Sequence, residues 1–134
     1  MTTTLQDFAA TYSQAWADRD PDAIVAMHTA DTVFHQHGYA EPATGREAVR
    51  AAIAEGFAQV PDLAFTMRRA HLGAEHFVSE YVISGTLAGA HFESEGIDVF
   101  TLTGGLIARK DTYIDWLSVQ RQLGADLAAA AGLA

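Results

Sequence analysis

Apolar residues recur every three or four positions before Pro61 and every second position after it, so the chain divides into a helical part and a sheet part. In "TTTLQDFAATYSQAWADRD", Leu5, Phe8, Tyr12 and Trp16 share one helical face behind threonines suited to cap it. "DPDAIVAMH" predicts a short second helix with Asp20 as cap and Pro21 in its first turn. "DTVFHQHGY" predicts a strand running into a glycine turn, and "GREAVRAAIAEGFAQV" a third helix carrying Val49, Ile53 and Phe57 and ending at Pro61. Beyond Pro61 come "DLAFTMRRAHL", "HFVSEYVISGTL", "HFESEGIDVFTL" and "LIARKDTYIDWL", separated by "GAE", "AGA" and "TGG". These spacers suit hairpins, and strands connected this way, with helices to one side, predict an α+β arrangement rather than alternating βαβ units. "SVQRQLGADLAAAAGLA" predicts a last helix fraying into an alanine-rich tail. One domain over residues 1–124 and a tail over 125–134 without function are expected.

Composition narrows the partners. With 134 residues, 49% of them hydrophobic, the chain suits one compact domain with a real core. Its net charge of −9, from 8 Lys+Arg against 17 Asp+Glu, argues against nucleic acid or an anionic membrane and leaves a neutral or apolar small molecule as ligand. The absence of cysteine removes disulfides, thiolate nucleophiles and cysteine metal sites. No apolar run approaches the roughly 20 residues of a membrane span, and "MTTTLQDFAA" lacks the basic start of a signal peptide, so a cytoplasmic location is expected.

The candidate chemistry starts from "EGIDVFTL", where Asp98 falls in the same row as Phe100 and Leu102 while Ile97 and Val99 take the other face. A carboxylate there is a surfacing strand end, a charge with a partner such as Arg68 or Arg69, or an acid kept in a pocket for chemistry. The histidines His28, His35 and His37 raise a metal site, but His35 and His37 share one strand face with no acid at matching spacing, so neither metal nor cofactor is expected. On the final strand Asp111, Tyr113 and Asp115 lie on one face, and Lys110, Thr112, Ile114 and Trp116 on the other.

The order helix, helix, strand, helix and four strands resembles the NTF2-like superfamily, whose antiparallel sheet curls into a cone and encloses a pocket under three N-terminal helices. "ADTVFHQHGYAEPATGREAVRAAI" is similar to that family's strand, loop and third helix, and "TGGLIARKDTYIDW" with "RQLG" to the closing strand of its SnoaL-like branch. The resemblance implies that Lys110, Thr112, Ile114 and Trp116 turn inward with Phe77, Ser79, Tyr81 and Ile83. It also implies a Tyr on the first helix and an Asp on the penultimate strand as donors to an enolate, as in ketosteroid isomerases, which places Tyr12 and Asp98 in those slots. The base slot falls on Gln36, which cannot take up a proton in the required range; His35 and His37 flank it, and a one-residue bulge would present either.

Together these readings predict general acid/base catalysis on a hydrophobic carbonyl compound, as an isomerase or polyketide cyclase. Proton removal beside a carbonyl needs a base at the carbon and donors at the oxygen. Asp98 would serve as a neutral donor if its apolar row raised its pKa, whereas pairing with Lys110 would keep it ionised. Trp16, Phe34, Gln36, Phe57, Met67, Tyr81, Phe100 and Trp116 are the expected substrate contacts. The alternative is a binding or dimerisation module that keeps the cone without a base. A largely apolar outer face of Val78, Glu80, Val82, Ile97, Val99, Thr101, Tyr113 and Asp115 predicts a homodimer.

Overall fold

The structure, a computed structural model, describes residues 4–124; the tail expected at 125–134 lies outside the described residues. Helix α1 (Leu5–Ala17) starts where the Thr4 hydroxyl accepts the Asp7 amide at 3.0 Å, satisfying one of the amides a helix start leaves unpaired. Helix α2 (Pro21–Val25) is capped by Asp20, which accepts the Ala23 amide at 3.1 Å. It stops sooner than its pattern predicts because the Met27 carbonyl is taken by the Ile107 amide at 2.9 Å, which draws the chain into the sheet. Strand β1 (His28–His37) therefore begins at His28. A two-residue strand, β2 (Ala43–Thr44), precedes α3 (Arg46–Gln59). The sheet half then runs β3 (Ala64–Leu72), β4 (His76–Leu87), β5 (Ala90–Thr103) and β6 (Leu106–Ile114), and α4 (Trp116–Leu123) follows.

The six strands form one curled sheet in the order β2-β1-β6-β5-β4-β3. Strands β3 to β6 pair antiparallel as consecutive hairpins, but β1 runs parallel to β6, a departure from the all-antiparallel expectation. A parallel pair needs a long connection between its strands, and everything from β2 to β5 supplies it. Bulges between Met67 and Arg69 and between Thr101 and Leu102 shift the register and add curvature.

Period-two patterning decides what faces inward. Phe77, Ser79, Tyr81 and Ile83 of β4, Asp98, Phe100 and Leu102 of β5, and Lys110 and Thr112 of β6 are all buried. Helices α1 to α3 lie against this face through Tyr12, Ala15, Ile24, Val49 and Ile53, which pack with Phe34, Phe77, Phe100 and Ile107. Burying each such side chain stabilises the fold by roughly 1.5–3 kcal/mol. A second cluster, Tyr81, Ile83, Leu87, Phe92 and Val119, includes a residue of α4.

Two local devices shape the space between α1 and β3. Arg19, at φ 56°, leaves the end of α1 and donates to the carbonyls of Leu63 at 2.9 Å and of Phe57 and Val60 at 3.2 Å, tying α1 to the turn before β3. Gly96 sits opposite Tyr81 in the β4–β5 ladder, and a Cβ there would lie 2.6 Å from the Tyr81 ring. The ring lies over bare backbone as a result. At the other end the expected strand stops early: Asp115 accepts the Ser118 amide at 3.0 Å and caps α4, so Asp115 is not an outer-face strand residue and Trp116 is helical.

Candidate active site

Between α1 and β3 lies a cavity of about 850 Å³. Its mouth is formed by exposed residues such as Gln6, Ala10, Met67 and Leu72, and its walls by Trp16 and Phe65. At the inner end Tyr12, Ser79, Tyr81, Asp98, Phe100 and Lys110 converge from α1, β4, β5 and β6. A mainly apolar hollow with a few convergent polar groups is the form of a small-molecule site.

Asp98 is surrounded by donors. Its Oδ1 accepts the Tyr81 hydroxyl at 2.8 Å and the Thr112 hydroxyl at 2.7 Å, and its Oδ2 lies 3.6 Å from Lys110 Nζ. The neutral-donor role expected for it assumed an apolar row along β5. The row exists, but neighbouring strands place two hydroxyls and an ammonium around the carboxyl, an arrangement that suits an acceptor. Burial, reinforced by the Asp98 charge and hydrogen bond, pushes the Tyr81 phenol far above its ordinary range and keeps it a donor. Lys110 is buried among rings, with Nζ 4.0 Å from the centre of Trp16 and 5.2–5.4 Å from those of Tyr12, Phe34 and Phe100. Burial lowers its pKa, and the Asp98 charge and hydrogen bond oppose that shift.

A second polar chain runs behind Lys110. The Thr32 hydroxyl lies 3.2 Å from the Ile107 carbonyl and 2.8 Å from His28 Nδ1. On the other side of the ring, Nε2 lies 2.9 Å from the Tyr12 hydroxyl, so one ring nitrogen donates and the other accepts along this chain. The Tyr12 oxygen in turn accepts from Lys110 Nζ at 3.4 Å. The expected donor Tyr12 therefore lines the cavity while its hydroxyl also contacts His28 and Lys110. Burial first, then the charges of Lys110 and Arg46, push the His28 pKa down to about 3, so the imidazole is neutral and an acceptor. Burial drives the Tyr12 phenol well above its usual range, against the indole N–H of Trp16.

Of the expected substrate contacts, Trp16, Met67, Tyr81 and Phe100 line the cavity. Phe34 and Phe57 stand behind the lining: Phe34 is core, and Phe57 packs on Trp16 with ring centres 5.3 Å apart. Trp116 lies elsewhere, donating to the His37 carbonyl at 2.9 Å and packing against Tyr39 with ring centres 4.7 Å apart, because α4 has already begun. Gln36 does not reach the lining. The expected bases fail on parity: His35 and His37 register with Asp111 and Tyr113 of β6, on the opposite sheet face from Lys110 and Thr112. No bulge brings either imidazole inside.

On that outer face His35, His37 and Asp111 have ligand atoms within 4.8 Å of one another, an acid that strand pairing supplies and spacing along β1 could not reveal. Asp111 is already engaged, however, accepting from Arg109 at 2.8 and 2.9 Å and contacting His37 Nε2 at 2.7 Å. That arrangement favours an ion-pair cluster over a metal centre. The residues the sequence did not assign are His28, Thr32 and Thr112; only the burial of His28 inside a predicted helix end could have signalled the first.

The neutral His28 sets an acid limit on stability. The unfolded chain takes up a proton near pH 6.5 and the folded chain only near 3, so this residue's contribution is whole above pH 6.5 and falls as pH drops through that window. Between pH 6.5 and about 5 the loss amounts to about 2 kcal/mol. Urea unfolding at a series of pH values is expected to show this slope in the parent and a flatter one in His28→Gln; equal slopes would contradict the buried neutral imidazole.

The SnoaL-like domain family matches residues 9–110. No curated protein matches the chain. Among solved structures, a ketosteroid-isomerase-like protein from Catenulispora acidiphila DSM 44928, in complex with trimethylamine, is 24% identical with a TM-score of 0.82, over 92% of this chain and 96% of that one. TsrD from Streptomyces laurentii is also 24% identical, with a TM-score of 0.76 over 91% and 96%. TerC, co-crystallised with polyporic acid, is 13% identical with a TM-score of 0.78 over 90% and 98%. These likenesses are of fold, and with the family match over most of its length, the chain belongs to the SnoaL-like domain family of the NTF2-like, ketosteroid-isomerase-like fold.

Proposed function

We propose that the protein is an enzyme that moves a proton beside the carbonyl of a hydrophobic compound, as an isomerase or a cyclase does. The observation that carries this reading is the Asp98–Lys110 pair at the inner end of a mainly apolar cavity. Oxygen and α-carbon of a ketone lie about 2.4 Å apart by bond geometry, so two groups 3.6 Å apart can address both at once. Asp98 Oδ2 is the base, because Oδ1 is occupied by Tyr81 and Thr112. Lys110 stabilises the oxygen as charge develops there, in a setting where exclusion of water strengthens the interaction. Trp16 adds support: beyond its pull on the Tyr12 oxygen, its buried indole N–H makes no hydrogen bond of ordinary geometry among the described residues, and a ligand oxygen would satisfy it. Small amines are disfavoured as ligands, since the ring faces suited to a cation already hold Lys110.

A binding module of the same fold is the second reading, favoured by the lack of an imidazole among the lining residues and by the base slot at Gln36. The two separate in one experiment. Deuterium exchange at the α-carbon of hydrophobic ketones such as 4-phenylbutan-2-one, followed by NMR in D2O, is expected to be protein-dependent, and to fall by about 10²–10⁴-fold in Asp98→Asn. Binding of these ketones without any exchange above buffer would favour the module.

The outer face also supports assembly with a second copy. Ile97 is 40% and Tyr113 49% exposed beside the half-buried Val78, Val82 and Val99, an apolar area that a homodimer would cover. Light scattering at micromolar concentration is expected to return twice the chain mass, and a monomer throughout that range would contradict it.

A further inference from the structure

Lys110 is the only lysine in the chain, and apart from the histidines its other basic residues are all arginines. It is 3% exposed, at the cavity's inner end, whereas the surface and backbone-binding roles for a cation fall to arginines such as Arg19, Arg46, Arg50 and Arg69. Arginine makes the better permanent cation and fork-shaped donor, but it cannot give up its proton to become a nucleophile. Lysine can. A 3.6 Å separation is also long for a pair optimised for attraction alone, and Lys110 is one of the residues that line the cavity.

We propose that Lys110 forms an imine with the carbonyl carbon of its substrate. The inference rests on the reading of this cavity as a site for a hydrophobic carbonyl compound and names the step that engages it. Asp98 Oδ2 takes a proton from Nζ, and the freed amine lone pair attacks the carbonyl carbon. The C–N bond forms as the carbonyl π pair moves to oxygen. Asp98 relays a proton from nitrogen to that oxygen, giving a carbinolamine. The proton that Asp98 first took from Nζ then passes to this oxygen, which leaves as water while the nitrogen lone pair closes the C=N bond, giving the protonated imine and restoring the carboxylate. Amine and carbonyl thus become imine and water, with no net oxidation.

The surroundings suit each stage. Burial lowers the Lys110 pKa and so favours the amine. Once formed, the protonated imine is a cation at the same place, where the Trp16 face lies 4.0 Å from Nζ. Such a cation also acidifies the neighbouring carbon, which Asp98 can then deprotonate.

The test is reductive trapping. The folded protein is incubated with 3-phenylpropanal and cyanoborohydride, and the adduct is mapped by peptide mass spectrometry. The α-amino terminus is the only other primary amine. The proposal predicts modification of Lys110 about tenfold faster than of the terminus, a preference lost in urea, and modification of the terminus alone in Lys110→Arg. Modification of the terminus with Lys110 untouched in the folded protein would overturn it, and that result depends on no variant folding. Ketone deuterium exchange run in parallel separates the two readings. Exchange without a Lys110 adduct overturns the imine and leaves proton transfer standing; a Lys110 adduct without exchange supports the imine and counts against proton transfer.

Discussion

A carboxylate and an ammonium, both taken out of water at the inner end of the cavity, are the constraint around which the rest of this structure is arranged. Asp98 and Lys110 stand on adjacent strands, and each would be costly to bury without the other. At 3.6 Å their attraction alone is a loose arrangement, and the protein completes it with other groups: two hydroxyls on Asp98 Oδ1, and the Tyr12 oxygen and four aromatic rings around Nζ. Gly96 serves the same end, since only a residue without a Cβ lets the Tyr81 ring lie across the ladder and reach the carboxylate.

Stability and chemistry pull in different directions here. A well-packed apolar pair in place of Asp98 and Lys110 would often stabilise a core, so their presence marks a place where the fold accepts a cost. The Tyr12–His28–Thr32 chain behind them runs to the Ile107 carbonyl and holds each of its polar groups against a partner. Lys110 faces the phenol oxygen at the near end of that chain. The inner end of the cavity is therefore preorganised before any ligand enters, as catalysis by fixed dipoles requires.

Much of this was legible in the chain. Alternation along "EGIDVFTL" puts Asp98 in one row with Phe100, and that row is buried. The resemblance to the family, rather than periodicity alone, implies that Tyr81, Lys110 and Thr112 turn inward, and they are buried too. What could not be read depends on contacts between distant segments. His28 looks like the end of a helix until β6 captures the Met27 carbonyl, and its partners Tyr12 and Ile107 are far away in sequence. Asp115 and Trp116 continue a strand pattern that a helix cap interrupts. His35 and His37 lie one residue either side of the slot they were expected to fill, and in a strand one residue is the difference between the two faces. Asp98 is legible in its row and Lys110 as a candidate partner, but the Tyr81 and Thr112 hydroxyls that converge on its Oδ1 come from two neighbouring strands and are not.

Because the chain holds a single lysine, its ammonium can be watched alone. Protein labelled with lysine carrying ¹⁵N at Nζ gives one side-chain resonance to follow with pH, in the parent and in Asp98→Asn. Burial lowers the Lys110 pKa below the ordinary 10.5 and Asp98 holds it up against that shift, so the account predicts a depressed titration in the parent and a further depression in the variant. A lysine that titrates at its ordinary value in both proteins would contradict the buried pair, and with it the account of the site.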